Sequence, residues 1–233
     1  MIDRRIVVGD IHGCILTFRK LVEDELKLKK SDILFLPGDY IDRGPDSKAV
    51  VDYIMWLKNE SYQIITLMGN HEYMLLQAME SMEYYKLWML NSGVTTLRDF
   101  GIDVAANPGP EAIFRIPNTY LEFFRNLGYY AETPGYFISH GCFDGRTENP
   151  LNDISSMIWN RVESYNADFL CGRKLIHGHI PMAIEEIRSR INDPATLIIN
   201  IDAGCVYRNN ARLGYLAAFD LDSRDFFALK NCE

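Results

Sequence analysis

Residues 5–13 read Arg5-Ile6-Val7-Val8-Gly9-Asp10-Ile11-His12-Gly13. A short apolar run stops at a glycine, and an aspartate, a histidine and a second glycine follow at once. Such a run, bounded by glycine, predicts a short buried strand. Side chains two apart turn to one side of an extended backbone, so Asp10 and His12 can bind one cation together. Taken alone the pattern is weak, because a capping aspartate beside a packed histidine explains it equally well.

The pattern repeats outward along the chain. Asp32-Ile33-Leu34-Phe35-Leu36 ends at Pro37-Gly38 and leads into Asp39-Tyr40-Ile41-Asp42-Arg43-Gly44. Gln63-Ile64-Ile65-Thr66-Leu67-Met68 ends at Gly69 and leads into Asn70-His71-Glu72. Between these runs, Ile15 to Leu28 (Ile15, Phe18, Leu21, Val22, Leu26) and Ser47 to Leu57 have helical spacing. Strands alternating with helices predict βαβ units and a largely parallel sheet. Each polar motif then falls at the carboxyl end of a strand, where open α/β sheets place their ligands.

Residues 73–130 read as a mostly helical insert with a Pro/Gly loop at Asn107-Pro108-Gly109-Pro110. Clusters such as Tyr84-Tyr85 and Phe123-Phe124 are expected in core or rim packing rather than in a substrate groove. The second half returns to strands at Tyr136–Ser139, Lys174–Ile176, Thr196–Ile201 and Leu213–Leu221, predicting a second, mixed sheet. No repeat, linker or boundary interrupts residues 1–233, so one domain is expected.

At 233 residues, 48% hydrophobic and 24% charged, the chain can bury a sizeable core without covalent staples. A net charge of −8 argues against a nucleic-acid scaffold held by phosphate contacts. It leaves phosphorylated substrates open, since bound cations and local arginines can invert the field in a cleft. Five scattered cysteines form no C-x-x-C pair, and no leader-like segment precedes Gly9. Reduced thiols in a cytoplasmic protein are therefore expected, with Cys142 and Cys205 as small packing residues. No apolar run approaches the roughly 18 residues of a membrane span.

All five histidines sit beside glycine or within two residues of one: His12, His71, His140, His177 and His179. Imidazole, carboxylate and amide oxygen are the ligands of hydrolytic metal centres. Asp39 and Asn70 occupy the places after strands two and three that Asp10 and His12 occupy after strand one. His140 and His179 follow predicted strands and could complete a second cation. Two cations about 3.5–4 Å apart can activate a bridging water for direct attack on phosphorus. The leaving oxygen then needs a proton; His71 is the candidate acid, with Asp42 orienting its ring and raising its pKa. Arg43 and Arg161 would hold the non-bridging phosphate oxygens. For Arg161 an ordinary surface arginine is the competing reading.

The stretches Gly9–Gly13, Gly38–Gly44, Gly69–Glu72, His140-Gly141, Trp159-Asn160-Arg161 and His179 in His177-Gly178-His179, in this order, closely resemble the PPP family of metallophosphatases. That family lies within the calcineurin-like metallophosphoesterase superfamily, and the compact length resembles its bacterial and phage branch. The resemblance implies a metallophosphoesterase α/β/β/α sandwich, two mixed sheets flanked by helices. It implies that Asp10, His12 and Asp39 hold one metal and Asp39, Asn70, His140 and His179 another, loaded with Mn²⁺, Fe or Zn²⁺. It further implies Asp42–His71 as the acid pair, with Arg43, Asn70 and Arg161 on phosphate. The expected activity is phosphomonoester hydrolysis, most simply of phosphoserine or phosphothreonine in proteins. The alternative is hydrolysis of diadenosine tetraphosphate or a related dinucleotide, or of a small phosphorylated molecule. Retention of Asp42 and Glu72 favours the protein-phosphatase branch, and a catalytically dead binding module would have eroded a ligand or the acid. Three departures stand out: Ile180 after His179, Arg208-Asn209 where glycines are expected, and the extra His177. In a strand His177 would face the side of His179 as a supporting donor or competing ligand, but it is expected to be a structural histidine.

Overall fold

A computed structural model describes residues 2–106 and 108–233. Asn107, within the expected Pro/Gly loop, lies outside the described residues. The strands are β1 (Arg5–Val8), β2 (Ile33–Leu36), β3 (Gln63–Thr66), β4 (Tyr130–Thr133), β5 (Tyr136–Ser139), β6 (Lys174–His177), β7 (Ile198–Asn200), β8 (Tyr215–Asp220) and β9 (Phe226–Lys230). The helices are α1 (Ile15–Lys20), α2 (Ser47–Asn59), α3 (Asn70–Ala78), α4 (Met82–Leu90), α5 (Gly93–Asp99), α6 (Asn118–Arg125), α7 (Ile154–Trp159), α8 (Ala167–Leu170) and α9 (Ile184–Asn192). The expected helix from Ile15 to Leu28 is α1 continued by one wider π turn, Leu21–Glu25.

Two mixed sheets form. The first has the order β3-β2-β1-β8-β9, with β1, β2 and β3 parallel and β8 antiparallel to β1. The second has the order β4-β5-β6-β7, with only the β4–β5 pair antiparallel. Placing Leu213–Leu221 in the second sheet is corrected here. β8 joins the first sheet beside β1, its Phe219 opposite Val7, and turns back through Asp222–Asp225 into β9. Alternating apolar residues announce a strand but not its partner, and this partner lies more than 200 residues away. β9 and β4 had no strand expectation, the latter at the end of the stretch read as helical.

Side-chain alternation sorts the sheets into layers. Ile6, Val8, Leu34, Leu36 and Ala218 face the layer of α1 to α6. Their neighbours Val7, Phe35, Ala217 and Phe219 face Ile138, Ile176 and Ile199 of the second sheet. Phe137 and Leu175, on that sheet's other side, meet Phe143, Met157 and Leu170 around α7 and α8. Four layers result, helix on sheet on sheet on helix, and the sequence-derived α/β/β/α sandwich is the observed architecture. Cys205 and Cys142 lie within the first and third of these cores, and all five cysteines are free thiols.

Candidate metal centre

The loops after β1, β2, β3, β5 and β6 converge along the seam between the sheets. Tight backbone makes this possible. His12, Asp39, Asp42, Arg43 and His179 all have positive φ, between 46° and 71°. A non-glycine residue there is strained by about 1–3 kcal/mol, and such residues gather at functional sites. Close approach needs glycine as well: a Cβ on Gly69 would sit 2.2 Å from the Asp39 nitrogen, and one on Gly178 would sit 2.1 Å from Asp10 Oδ1.

Asp39 is the hub. Its Oδ2 lies 3.3 Å from His12 Nε2 and 4.0 Å from His71 Nε2, and its Oδ1 lies 3.4 Å from His140 Nε2. The His71 backbone N–H, in the first turn of α3, donates to Oδ1 at 3.2 Å. Asn70 Oδ1 lies 3.0 Å from both His140 Nε2 and His179 Nδ1. Two clusters able to hold a cation share this carboxylate: His12, Asp39 and His71, and Asp39, His140 and His179. Asp10 closes the far side, its Oδ2 accepting the His179 N–H at 3.0 Å. Its Oδ1 is buried without a partner, as are His140 Nδ1, His179 Nε2 and His71 Nε2. Buried polar atoms without partners, on carboxylate and imidazole side chains, fit a divalent cation.

The electrostatics separate the imidazoles. Burial drives the His12 ring well below its usual range and His140 to about 4, and burial with the charge of His140 takes His179 to about 3. Neutral rings carry free lone pairs, the form a cation requires. Burial pushes the Asp39 carboxyl up, but His140, His71, His12 and Arg43 outweigh it and hold the group ionised. Oxygen and imidazole donors of this kind suit divalent cations.

His71 behaves in the opposite sense. Burial lowers its pKa, but Asp39 and Asp42 raise it further, so the net shift is upward. His71 Nδ1 donates to Asp42 Oδ2 at 2.7 Å. That carboxylate is wholly buried and also accepts Trp88 Nε1–H at 2.8 Å on Oδ2 and the Thr96 hydroxyl at 2.5 Å on Oδ1. Trp88 and Thr96 come from α4 and α5, so the helical segment holds the pair in place. Arg43 is half-buried with Nη1 2.7 Å from His12 Nε2. Arg161 is exposed in the loop after α7, near enough for its charge to help depress His179.

The sequence reading missed two supports. Glu72, used there only to separate branches, is a clamp: Oε2 accepts the N–H groups of Asp39 (2.9 Å) and Gly69 (3.1 Å), and Oε1 those of Tyr40 (2.8 Å) and Ile41 (3.2 Å). Asp202 follows β7 and is buried; burial and Asp39 push its carboxyl up to about 7 against the Gly204 N–H. Burial, then Asp202 and Asp39, raise Asp10 in turn. Asp202 lacks the glycine that directly precedes Asp10, Asp39 and Asn70, and only its place just past a strand could have found it. His177 stands apart from both clusters. β6 ends on it, so strand alternation does not carry it to the side of His179. Its Nδ1 lies 2.9 Å from the Gly178 carbonyl and its Nε2 3.6 Å from Glu163, a structural environment.

The family model described as Calcineurin-like phosphoesterase matches residues 4–204. A zinc-dependent endopolyphosphatase of Saccharomyces cerevisiae is 32% identical over 53% of this chain and 36% of its own length. Serine/threonine-protein phosphatase 1 of Salmonella typhimurium is 40% identical over 37% of this chain and 38% of its own. A symmetrical bis(5'-nucleosyl)-tetraphosphatase of Wigglesworthia glossinidia brevipalpis is 41% identical over 30% of this chain and 25% of its own. The matches thus span well under half the length of these curated relatives. A protein serine/threonine phosphatase structure from Saccharomyces cerevisiae superposes on all of this chain and 81% of its own, with 14% identity and a TM-score of 0.67, a likeness of fold.

Proposed function

The chain belongs to the calcineurin-like phosphoesterase family, and on that premise we propose a dinuclear-metal phosphomonoesterase whose first substrates are phosphoserine and phosphothreonine in proteins. The working unit is the whole chain as one domain, with residues 73–130 as its helical insert. No helix among the described residues is long and apolar enough to cross a membrane. We place the enzyme in the cytoplasm on the ground of its free thiols.

Asp10, His12 and Asp39 would hold one divalent cation, and Asp39, Asn70, His140 and His179 the second, with Mn²⁺ the first candidate and Fe or Zn²⁺ the others. Bound there, the pair supplies Lewis acidity that brings a water pKa toward about 7 and offsets charge on the reacting phosphoryl group. Arg43 and Arg161 hold non-bridging oxygens and, with Asn70, orient phosphorus for in-line attack. Glu72 fixes the backbone that carries Asp39 and so sets the spacing of the cluster.

One observation carries the reading. His71 has Nδ1 locked on Asp42, while Nε2 is buried, unpartnered and 4.0 Å from Asp39 Oδ2. A ring so held presents its second N–H to the site and gives that proton to the leaving oxygen as the P–O bond breaks. A serine or threonine alkoxide, a poor leaving group, gains most from this. The test is hydrolysis of p-nitrophenyl phosphate and a phosphoserine peptide by purified protein with Mn²⁺. Turnover of both is expected, and absence of either activity at every metal tried would sink the proposal. The second reading, cleavage of a dinucleotide polyphosphate, is supported by the 41% identical tetraphosphatase match.

A further inference from the structure

A cleft of about 240 Å³ has Arg43 in its wall. Arg98 from α5 and Arg208 from the loop after β7 line it with Arg43, together with Thr95, Asn231 and Glu233. Three guanidinium groups and one acidic side chain, that of Glu233, thus line it, in a protein of net charge −8. The Glu233 side chain is engaged elsewhere, accepting the Thr17 N–H at 2.9 Å. Arg98 leans on the neighbouring Asp99 at 3.0 Å, with its side chain 62% exposed. Arg208 uses one Nη on the Glu233 main-chain oxygen at 2.8 Å. Each therefore keeps N–H donors free, since a guanidinium carries five.

Position makes the cleft more than a basic patch. Arg43 Nη1 is 2.7 Å from His12 Nε2, so one side chain spans the metal cluster and the cleft wall. A substrate whose phosphoryl group sits at the cluster can pass its next anionic group along Arg43 into the cleft, whose wall Arg98 and Arg208 share. Arg208 also stands where the family pattern leads one to expect glycine, which ties this charge to the chain's own sequence. We infer that the cleft is a second phosphate subsite, in which Arg98 and Arg208 hold a phosphate group of the substrate next to the one being hydrolysed. The inference rests on the hydrolase reading above and narrows it. The second phosphate can belong to a phosphoanhydride chain or to a neighbouring phosphorylated residue of a peptide.

The variant Arg98→Ala/Arg208→Ala tests it, with Arg98→Lys/Arg208→Lys as the charge-retaining control and circular dichroism to show that both fold. Calorimetric titration of metal-free protein with tripolyphosphate should show Kd weakened about 100-fold in the alanine variant. That is tenfold per arginine, the low end for a hydrogen bond to a charged group. The lysine control should recover part of the loss. On Mn²⁺-loaded enzyme, kcat/KM for tripolyphosphate, diadenosine tetraphosphate and a doubly phosphorylated peptide is compared with that for p-nitrophenyl phosphate. A tenfold or larger fall in the ratio for either class supports the subsite, and the class that falls identifies the source. Equal tripolyphosphate Kd in wild type and alanine variant would overturn it, as would an equal loss on p-nitrophenyl phosphate. Should wild type hydrolyse none of these substrates, the hydrolase reading fails while the metal-free titration still decides the subsite.

Discussion

Trp88→Phe probes whether the helical insert holds the acid pair. Asp42 is fully buried and its carboxylate has three side-chain donors: His71 Nδ1 at 2.7 Å, Trp88 Nε1 at 2.8 Å and the Thr96 hydroxyl at 2.5 Å. Phenylalanine keeps a ring against Gly93, where Trp88 now packs, but removes the N–H. A hydrogen bond to a buried charge is worth about 1.5–3 kcal/mol, and the narrower ring leaves a void costing about 1 kcal/mol more. The expected loss is about 3 kcal/mol in urea unfolding with unchanged m. In a chain of 233 residues that corresponds to a drop of about 6–12 °C in Tm. Because Asp42 still accepts from His71, kcat should fall less than about tenfold, and metal uptake should not change. Asp42→Asn should instead lower kcat by about 100-fold or more. A stability loss below about 0.5 kcal/mol, or a kcat for Trp88→Phe as low as that of Asp42→Asn, would refute the reasoning.

His71→Asn should keep metal, read by calorimetric Mn²⁺ titration, yet lose about 100-fold or more in kcat; unchanged kcat removes His71 from the acid role. Gly69→Ala drives a methyl to 2.2 Å from the Asp39 nitrogen, so destabilisation of about 3 kcal/mol is expected in denaturant melts. A variant as stable as wild type would show that this loop yields freely. Asp222, in the β8–β9 turn and bonded to Arg5 of β1, is held below the usual carboxylate range by that arginine. A depressed carboxyl adds stability above its unfolded pKa of about 4, and the gain is lost as pH falls through the folded value. Asp222→Asn should therefore flatten the acid limb of the stability curve, by less than about 1 kcal/mol at this exposed pair. An unaltered limb would show that the pair contributes nothing.

The parts legible in sequence share one property: their information is local. Strands β1 to β3 with their glycine-bracketed motifs are contiguous, so convergence of Asp10, His12, Asp39 and Asn70 followed from period and position. The partners of Asp42 were not legible, because Trp88 and Thr96 lie 46 and 54 residues away and resemble core residues. Glu72 was visible as a letter but not as a clamp, since its function is to meet four backbone N–H groups from two loops. β8 was seen as a strand and assigned to the wrong sheet, because alternation fixes faces and leaves pairing open. His177 was open for a related reason: whether a strand ends at a residue decides where its side chain goes.

The two sheets contribute unequally to one centre. Asp10, His12, Asp39 and Asn70 are delivered by the first sheet, and His140 and His179 by the second. The proposed set of one cation, Asp10, His12 and Asp39, comes wholly from the first sheet, whereas that of the other draws His140 and His179 from the second. A cation held by that second, seam-crossing set would act as a latch, tightening only once the sheets have docked and loosening their mutual registration on release. Metal occupancy and the final docking step of folding would then be one event, so a destabilised seam would show first as weakened metal retention, ahead of any change in secondary structure.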